Sequence, residues 1–595
     1  VILTLLAILI AARVVLAAIP GRLPGDVARV VRAVIPGHLP RDVARVVRAA
    51  IPGHLPRGAA RMVAVAIAGA GYLPRDAVAA VDAGLCLAAA LLAAATLAGG
   101  AHVATLTLPF GPVGGGMHFV LDPLAASFLL LLFAVMPWAD GGARQMAAVA
   151  ITVLAGDGFT LVLGLLLSGG AALRRPAAAA AVCLIVAFAL AGPVSDFAMI
   201  RAAPPEGWRA ATLLVLVLAG ATALSSVSPA MAIYLPLRVL LDLCGPTPPP
   251  WWSVPLLLVG AAMAILAAWR AALAATLHAA VSHGSLHQVG LAMVALGVTA
   301  FARAVDLPSV AARALAGAWL ALVCHVLCRA LLVLCADAFE TGAGTRRLTL
   351  LGGLIHRMPV TAGCCLVGLA GIAALPPGLG FAALWLVIQS LIATARFGDF
   401  GLQVLVICVV AVSGLSGGLA ALAAVRLAGV GLLGRPRAPR SAAAEEVFRP
   451  RQLVLGGLAL LVGLLGLLPA FALLPIAGWD GAAQSISWLS LRADAEAPGY
   501  SPIAVTVLFG AAGLAIIRWL PRSTERRREP AWSGGFAAPP PWLPFGDTAT
   551  QYGPASFSEP LCRALAPLRP TEAFTVRCKH WRDVVLRVAT ALVTL

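Results

Sequence analysis

The sequence predicts an all-α polytopic membrane protein, and two observations carry that prediction. First, 61% of its 595 residues are hydrophobic and only 11% are charged, with mean hydropathy +0.96. A water-facing surface needs far more charge than that. Second, apolar runs of about 15 to 25 residues recur along the chain, each long enough to cross a hydrocarbon core of about 30 Å as a helix. Barrel strands would instead show about 10 residues of alternating polarity.

Taken in order, the expected spans are 1–19, 84–107, 119–138, 145–156, 158–172, 177–194, 210–225, 227–243, 253–275, 285–303, 309–338, 359–395 as a pair, 400–433, 452–475 and 502–520. Residues 1–19 lack a small-residue cleavage site and read as a first spanning helix rather than a signal peptide. Between the first two spans, 20–83 carry a 16-residue phrase written three times and marked by Leu23, Leu39 and Leu55, with a degraded copy at 71–84. Each unit starts on proline and spaces valines and arginines as a short amphipathic helix would, so the insertion reads as lying on an anionic membrane surface. Units this short cannot stack as a solenoid. The spanning bundle is then 84–520, followed by a polar Pro/Arg-rich strap at 521–582 and an apolar segment at 583–595.

The net charge of +17 is almost wholly arginine, clustered at 22–61, 346–357, 435–451 and 518–528. Such clusters beside spans suit lipid headgroups on the cytoplasmic side and argue against a nucleic-acid partner. The eleven cysteines form no CxxC pairs, so neither a disulfide framework nor a zinc knuckle is expected. Cys324, His325 and Cys328 are the nearest approach to a metal set, and packing is the plainer reading. No nucleotide loop, Ser-His-Asp set or haem ligand pair is visible, so the chain is expected to bind no cofactor and to have no catalytic site of its own.

Several phrases resemble one family in its own order. They are "LDPLAASFLLLLF" (121–133), "LAGDGFTLVLGLLLSGG" (154–170), "TLHAAVSHGSLHQVGLAMVALG" (276–297), "CHVLCRALLVLCADAF" (324–339) and "LGGLIHRMPVTAGCCLVGLAGIAALPPGLGFAALW" (351–385). Together they resemble the antiporter-like membrane subunits of complex I and of group 4 membrane-bound hydrogenases. "GLLGRPRAPRSAAAEE" (431–446) and "QYGPASFSEPLCRAL" (551–565) are similar to the branch typified by hydrogenase-4 component B and formate hydrogenlyase subunit 3. The resemblance implies about 14 to 16 helices containing two inverted five-helix repeats with helices broken at membrane depth. Pro376 and Pro377 remove donors and Gly378 and Gly380 relax the backbone, so 374–381 reads as such a break.

In that family a row of buried glutamates, lysines and histidines moves protons. Here the only lysine is Lys579, in the C-terminal region. The family's charged positions fall on Leu166, on Thr222 or Ser225, on Ala230 and on Leu384, while others fall on His278, His287, Arg329 and Arg426; His325 keeps a family histidine. Arginine stays protonated at any working pH and cannot hand on its proton as a buried lysine can.

Two readings stay open. The chain keeps the scaffold and anchors a redox module without lysine-based pumping, or protons follow a rebuilt path through His278, His283, His287 and His325 with Arg329 beside it. Asp337 is expected to pair structurally with an arginine, and Asp122 and Asp157 to start helices. The resemblance implies hydrogenase-like or formate dehydrogenase-like iron-sulfur partners, further membrane subunits and a bacterial inner (plasma) membrane location. Relatives in inorganic-carbon uptake and cation/proton antiport suggest a transport role as the other class.

Overall fold

The computed structural model describes residues 75–98, 103–108, 116–135, 143–168, 176–191, 196–225, 228–245, 247–397, 399–477, 486–487, 490–491, 499–519 and 553–564. The expected first span, the three full repeats, most of the strap and the closing segment lie outside these residues. The chain divides into two compact units, Val1–Ala172 and Leu173–Leu595.

In the first unit, helix α1 (Arg75–Ala98) packs on α2 (Pro123–Val135) through small buried residues including Cys86, Ala89 and Ala93. The apolar run 84–107 does not continue as one span. Its end is strand β1 (Ala104–Leu108), paired antiparallel with β2 (Met117–Leu121) so that Ala104 faces Leu121 and Leu108 faces Met117. Hydropathy alone sees "ATLTL" as part of a span, whereas its alternation of threonine with apolar residues suits a half-buried strand. Helix α3 (Ala143–Val153) meets α4 (Gly158–Ser168) where Gly164 lies against the Thr152 backbone, too close for a side chain. Asp157 starts α4: its carboxylate accepts from the backbone N–H groups of His118 and Thr160, both at 2.7 Å. Asp122 caps α2 in the same way, accepting from the Ala125 N–H at 2.8 Å.

The second unit begins with α5 (Pro176–Ala191), which packs on α6 (Gly207–Leu224). Helix α7 (Pro229–Pro236) passes into a π-helical stretch, Leu237–Leu243. Pro236 offers no backbone donor, which favours such a change of winding. The centre is a tight trio: α8 (Ser253–Leu273), α9 (Leu277–Ala304) and α10 (Pro308–Ala343). Small residues allow the approach of α8 and α9. A Cβ on Gly260 would sit 2.6 Å from the Val294 backbone nitrogen, and one on Gly290 would sit 2.6 Å from the Ala264 Cα.

The expected pair at 359–395 is α11 (Pro359–Ile372) and α12 (Leu379–Thr394), separated by the Pro376-Pro377 turn. Helix α13 (Phe400–Arg426) packs on α8 and ends in a second π-helical stretch, Leu427–Leu432. Helix α14 (Arg449–Leu467) lies on α11, and Gly466 meets the turn with its Cβ position 3.3 Å from the Gly378 Cα. Helices α15 (Pro502–Trp519) and α16 (Pro554–Ala564) complete the described residues. Among these, seven helices are long and apolar enough to cross a membrane and six shorter apolar helices accompany them.

The close approach at Gly290 makes a direct prediction. Gly290→Val should cost about 1–3 kcal/mol by overpacking, whereas Gly363→Val, with nothing within 4 Å of its Cβ position, should stay within about 0.5 kcal/mol. Thermal unfolding of the two variants in detergent measures the contrast.

Candidate functional site

Helices α9 and α10 form the interior, with 94% and 89% of their most apolar windows buried. Thr276 caps α9, its hydroxyl accepting from the Ala279 N–H, and the left-handed Gly344 closes α10. Antiparallel packing of the two therefore brings the start of α9 to the end of α10.

At that end, His278 Nε2 lies 2.9 Å from Asp337 Oδ1 and 3.7 Å from Glu340 Oε2. Asp337 and Glu340 are three residues apart, so both carboxylates occupy one face of α10. Asp337 thus pairs with a histidine, which corrects the expected arginine partner; the antiparallel register, invisible in the sequence, decides it. Arg346 binds the other Glu340 oxygen through Nε at 2.6 Å, and that carboxylate raises the guanidinium above its ordinary value. The donor atoms of His278, Asp337 and Glu340 lie within 4.8 Å of one another, although Arg346 and His278 already occupy these carboxylates.

Deeper in the pair, His325 Nδ1 lies 2.8 Å from the Ser285 carbonyl, and since a carbonyl only accepts, that nitrogen carries the proton. His287 is completely buried, and neither ring nitrogen has a hydrogen-bond partner among the described residues. Its neighbour Gln288, equally buried, reaches the break: Nε2 donates to the Ile372 carbonyl at 3.4 Å. Cys324 Sγ approaches the Gly371 carbonyl at 3.5 Å and Cys328 Sγ at 3.9 Å. The thiols therefore face the break and each other, while the bonded nitrogen of His325 faces Ser285. Gly380 packs directly on the Gly371 carbonyl, and a Cβ there would lie 3.0 Å from Gln288 Nε2.

The structure thus joins His278 to two carboxylates and brings Gln288 and Cys324 to the last turn of α11, beside the turn that holds Pro376, Pro377 and Gly378 and leads into α12 at Gly380. His283 and Arg329 are half-buried beside this set. Leu166 and Leu384 are half-buried and Ala230 is buried, Leu384 lying 3.2 Å from the Cβ position of Gly417. Gln288 was not singled out from the sequence. The signal was there, a lone amide between His287 and the closing glycine Gly290 in an otherwise apolar run.

Arg426 has a different place. It is 3% exposed, and it donates from Nη1 to the Ala274 carbonyl at 2.8 Å and from Nε to the Pro554 carbonyl at 3.0 Å. It thereby ties α8, α13 and α16 together, while Leu561 of α16 packs on Ala271, Ala272, Leu419 and Ala423.

Comparison with known proteins follows this geometry. The profile of the family described as NADH:quinone oxidoreductase/Mrp antiporter, TM matches residues 114–415. An uncharacterized protein of Mycobacterium tuberculosis is 32% identical over 352 residues, covering 57% of this chain and 54% of that protein. Hydrogenase-4 component B of Escherichia coli is 29% identical over 225 residues, covering 38% of this chain and 34% of that protein. The match thus spans about half or less of the length of these relatives. Among solved structures, a chain of the membrane-bound sulfane sulfur reductase, an archaeal respiratory membrane complex, superposes with TM-score 0.63 at 15% identity, covering 86% of this chain and 91% of that one. At that identity the likeness speaks for the fold.

Replacing Arg426 tests its tie. Arg426→Lys loses the two-pronged geometry and should destabilise by about 1–3 kcal/mol. The expected readings are a lower melting temperature in detergent and faster proteolysis around 553–564.

Proposed function

Since the chain belongs to the NADH:quinone oxidoreductase/Mrp antiporter transmembrane family, we propose that it is an integral membrane subunit that anchors a redox module and does not pump protons by a lysine relay. One observation carries this reading: several positions that the resemblance assigns to the family's charges are occupied by groups that cannot exchange a proton near neutrality. Leu166, Ala230 and Leu384 are apolar, and Arg426 is held by two backbone carbonyls. An arginine so placed is a fixed charge in a structural bond. The likeness to hydrogenase-4 component B supports a hydrogenase-like or formate dehydrogenase-like partner with iron-sulfur subunits in a bacterial inner membrane. The chemistry then belongs to the partners.

A second reading has its own support in His287. A buried imidazole needs hydrogen-bond partners, and with none among the described residues, water is a natural supplier. A hydrated row of His278, His283, His287 and His325 is chemically able to relay protons, which would make the chain a cation/proton or inorganic-carbon transport subunit.

Proton flux in proteoliposomes holding the whole complex separates the two. The anchoring reading expects no flux dependent on this subunit in the wild type. Flux that falls at least tenfold in both His278→Ala and His325→Ala, on the order of a general acid-base contribution, would establish the histidine path instead.

A further inference from the structure

The loops at one end of the second unit form a single built surface. Loop 344–358, between α10 and α11, is bonded to the start of α9: Leu277 N donates to the Arg346 carbonyl and Leu348 N to the Ala275 carbonyl, both at 3.0 Å. The loop after α13 is stitched to it in turn. Gly353 N donates to the Leu433 carbonyl at 3.1 Å, Ser441 Oγ to the Leu350 carbonyl at 2.8 Å, and the buried Arg437 donates to the Leu351 and Val430 carbonyls. Gly352 packs directly on the Arg435 carbonyl, where no side chain would fit. Glu446 then fixes the start of α11, accepting from the Val360 N–H at 2.9 Å and from Thr361.

This surface presents exposed Arg346, Arg347, Arg357, Arg435, Arg440 and Arg449. Its acidic groups are few: Asp337 is taken by His278, Glu340 by Arg346 and His278, and Glu446 by the α11 start, while Glu445 is exposed. At the opposite ends of the same helices the described arginines are fewer, Arg303, Arg313 and Arg396, and Arg313 is buried. That asymmetry puts the arginine-bearing end on the cytoplasmic side.

We propose that this arginine surface is the docking site for an acidic face of a peripheral protein subunit, a proposal that rests on the anchoring reading above. Lipid headgroups fit the position less well. The loops cap α9 and α10, the most enclosed of the long helices, so they stand over the middle of the bundle rather than over its lipid rim. A surface cross-braced by backbone bonds also loses little freedom on binding, which favours a specific protein contact. Complementary charge would speed and orient the encounter, and salt would weaken it.

Thiol labelling tests this with the full chain in inside-out membrane vesicles. Thr349→Cys, at an exposed position between Arg347 and Arg357, is probed with a membrane-impermeant maleimide. Labelling should be slow in native vesicles and several-fold faster after a high-salt wash. Combining Thr349→Cys with Arg347→Glu, Arg357→Glu and Arg435→Glu should make labelling fast without the wash. Thermal unfolding in detergent checks that set, and the Arg→Gln set replaces it if it melts early.

Labelling already fast in native vesicles that retain peripheral subunits, or left unchanged by a wash that strips those subunits, would overturn the arginine surface and leave the anchoring reading standing. Failure of any peripheral subunit to be retained would overturn both. Slow labelling reproduced by the purified chain in phosphatidylglycerol vesicles would assign the surface to lipid and likewise overturn the proposal.

Discussion

Inside hydrocarbon, a backbone carbonyl that loses its helical donor has no water to turn to, and most of this structure can be understood as a response to that constraint. At several places where a helix changes winding or stops, a side chain from elsewhere in the chain supplies a donor. Arg303 reaches the Leu241 carbonyl in the first π-helical stretch at 2.8 Å, and Arg437 reaches the Val430 carbonyl in the second at 2.9 Å. Gln288 and Cys324 serve Ile372 and Gly371 at the proline turn, and Trp319 Nε1 serves Ala472 after α14 at 2.8 Å. Arg426 does the same for Ala274, the residue closing α8. The irregular places are therefore covered by protein and help to hold neighbouring helices in register.

This gives the arginines a reason to be arginines. A guanidinium offers several donors in a planar fork and stays charged when enclosed, which suits it to bridging two carbonyls. A lysine offers its three donors from a single nitrogen and cannot span two separated carbonyls as the fork does, and its proton would be less firmly held. Buried Arg238 follows the same logic. Its Nε donates to the Tyr234 hydroxyl at 3.0 Å while Nη1 meets Asp242 at 2.8 Å, and Arg201 closes on the same carboxylate at 2.7 Å. The fixed charges of this bundle brace its architecture, which is a different use of buried charge from proton exchange.

Much of this was legible in the sequence, for identifiable reasons. Run length placed α6, α8, α10, α13 and α15 within a few residues or a turn or two of their ends, because a span must be apolar throughout. The proline-glycine turn announced itself by residues that cannot continue a helix. Strand β1 was hidden, since five residues of alternating threonine disappear into a longer apolar average. The partner of Asp337 was hidden for another reason: it depends on which turn of α9 faces which turn of α10. The fit of α8 on α9 was hidden in the same way: the close contacts at Gly260, Gly290 and Gly297 are a property of that packed pair. The two π-helical stretches were equally silent, although Pro236 marks the start of one.

The length of α10 has a mechanical consequence. Its 36 residues extend for about 54 Å at 1.5 Å per residue, well beyond a hydrocarbon layer of about 30 Å. Hiding all of it would demand a tilt beyond the roughly 40° upper limit that helices adopt. Some of it must therefore stand outside the hydrocarbon layer, among the headgroups or beyond them. A thinner or thicker membrane would be absorbed by the shorter helices and by lipid, while this central post keeps its footing, so the bundle should tolerate hydrophobic mismatch at its core better than at its rim.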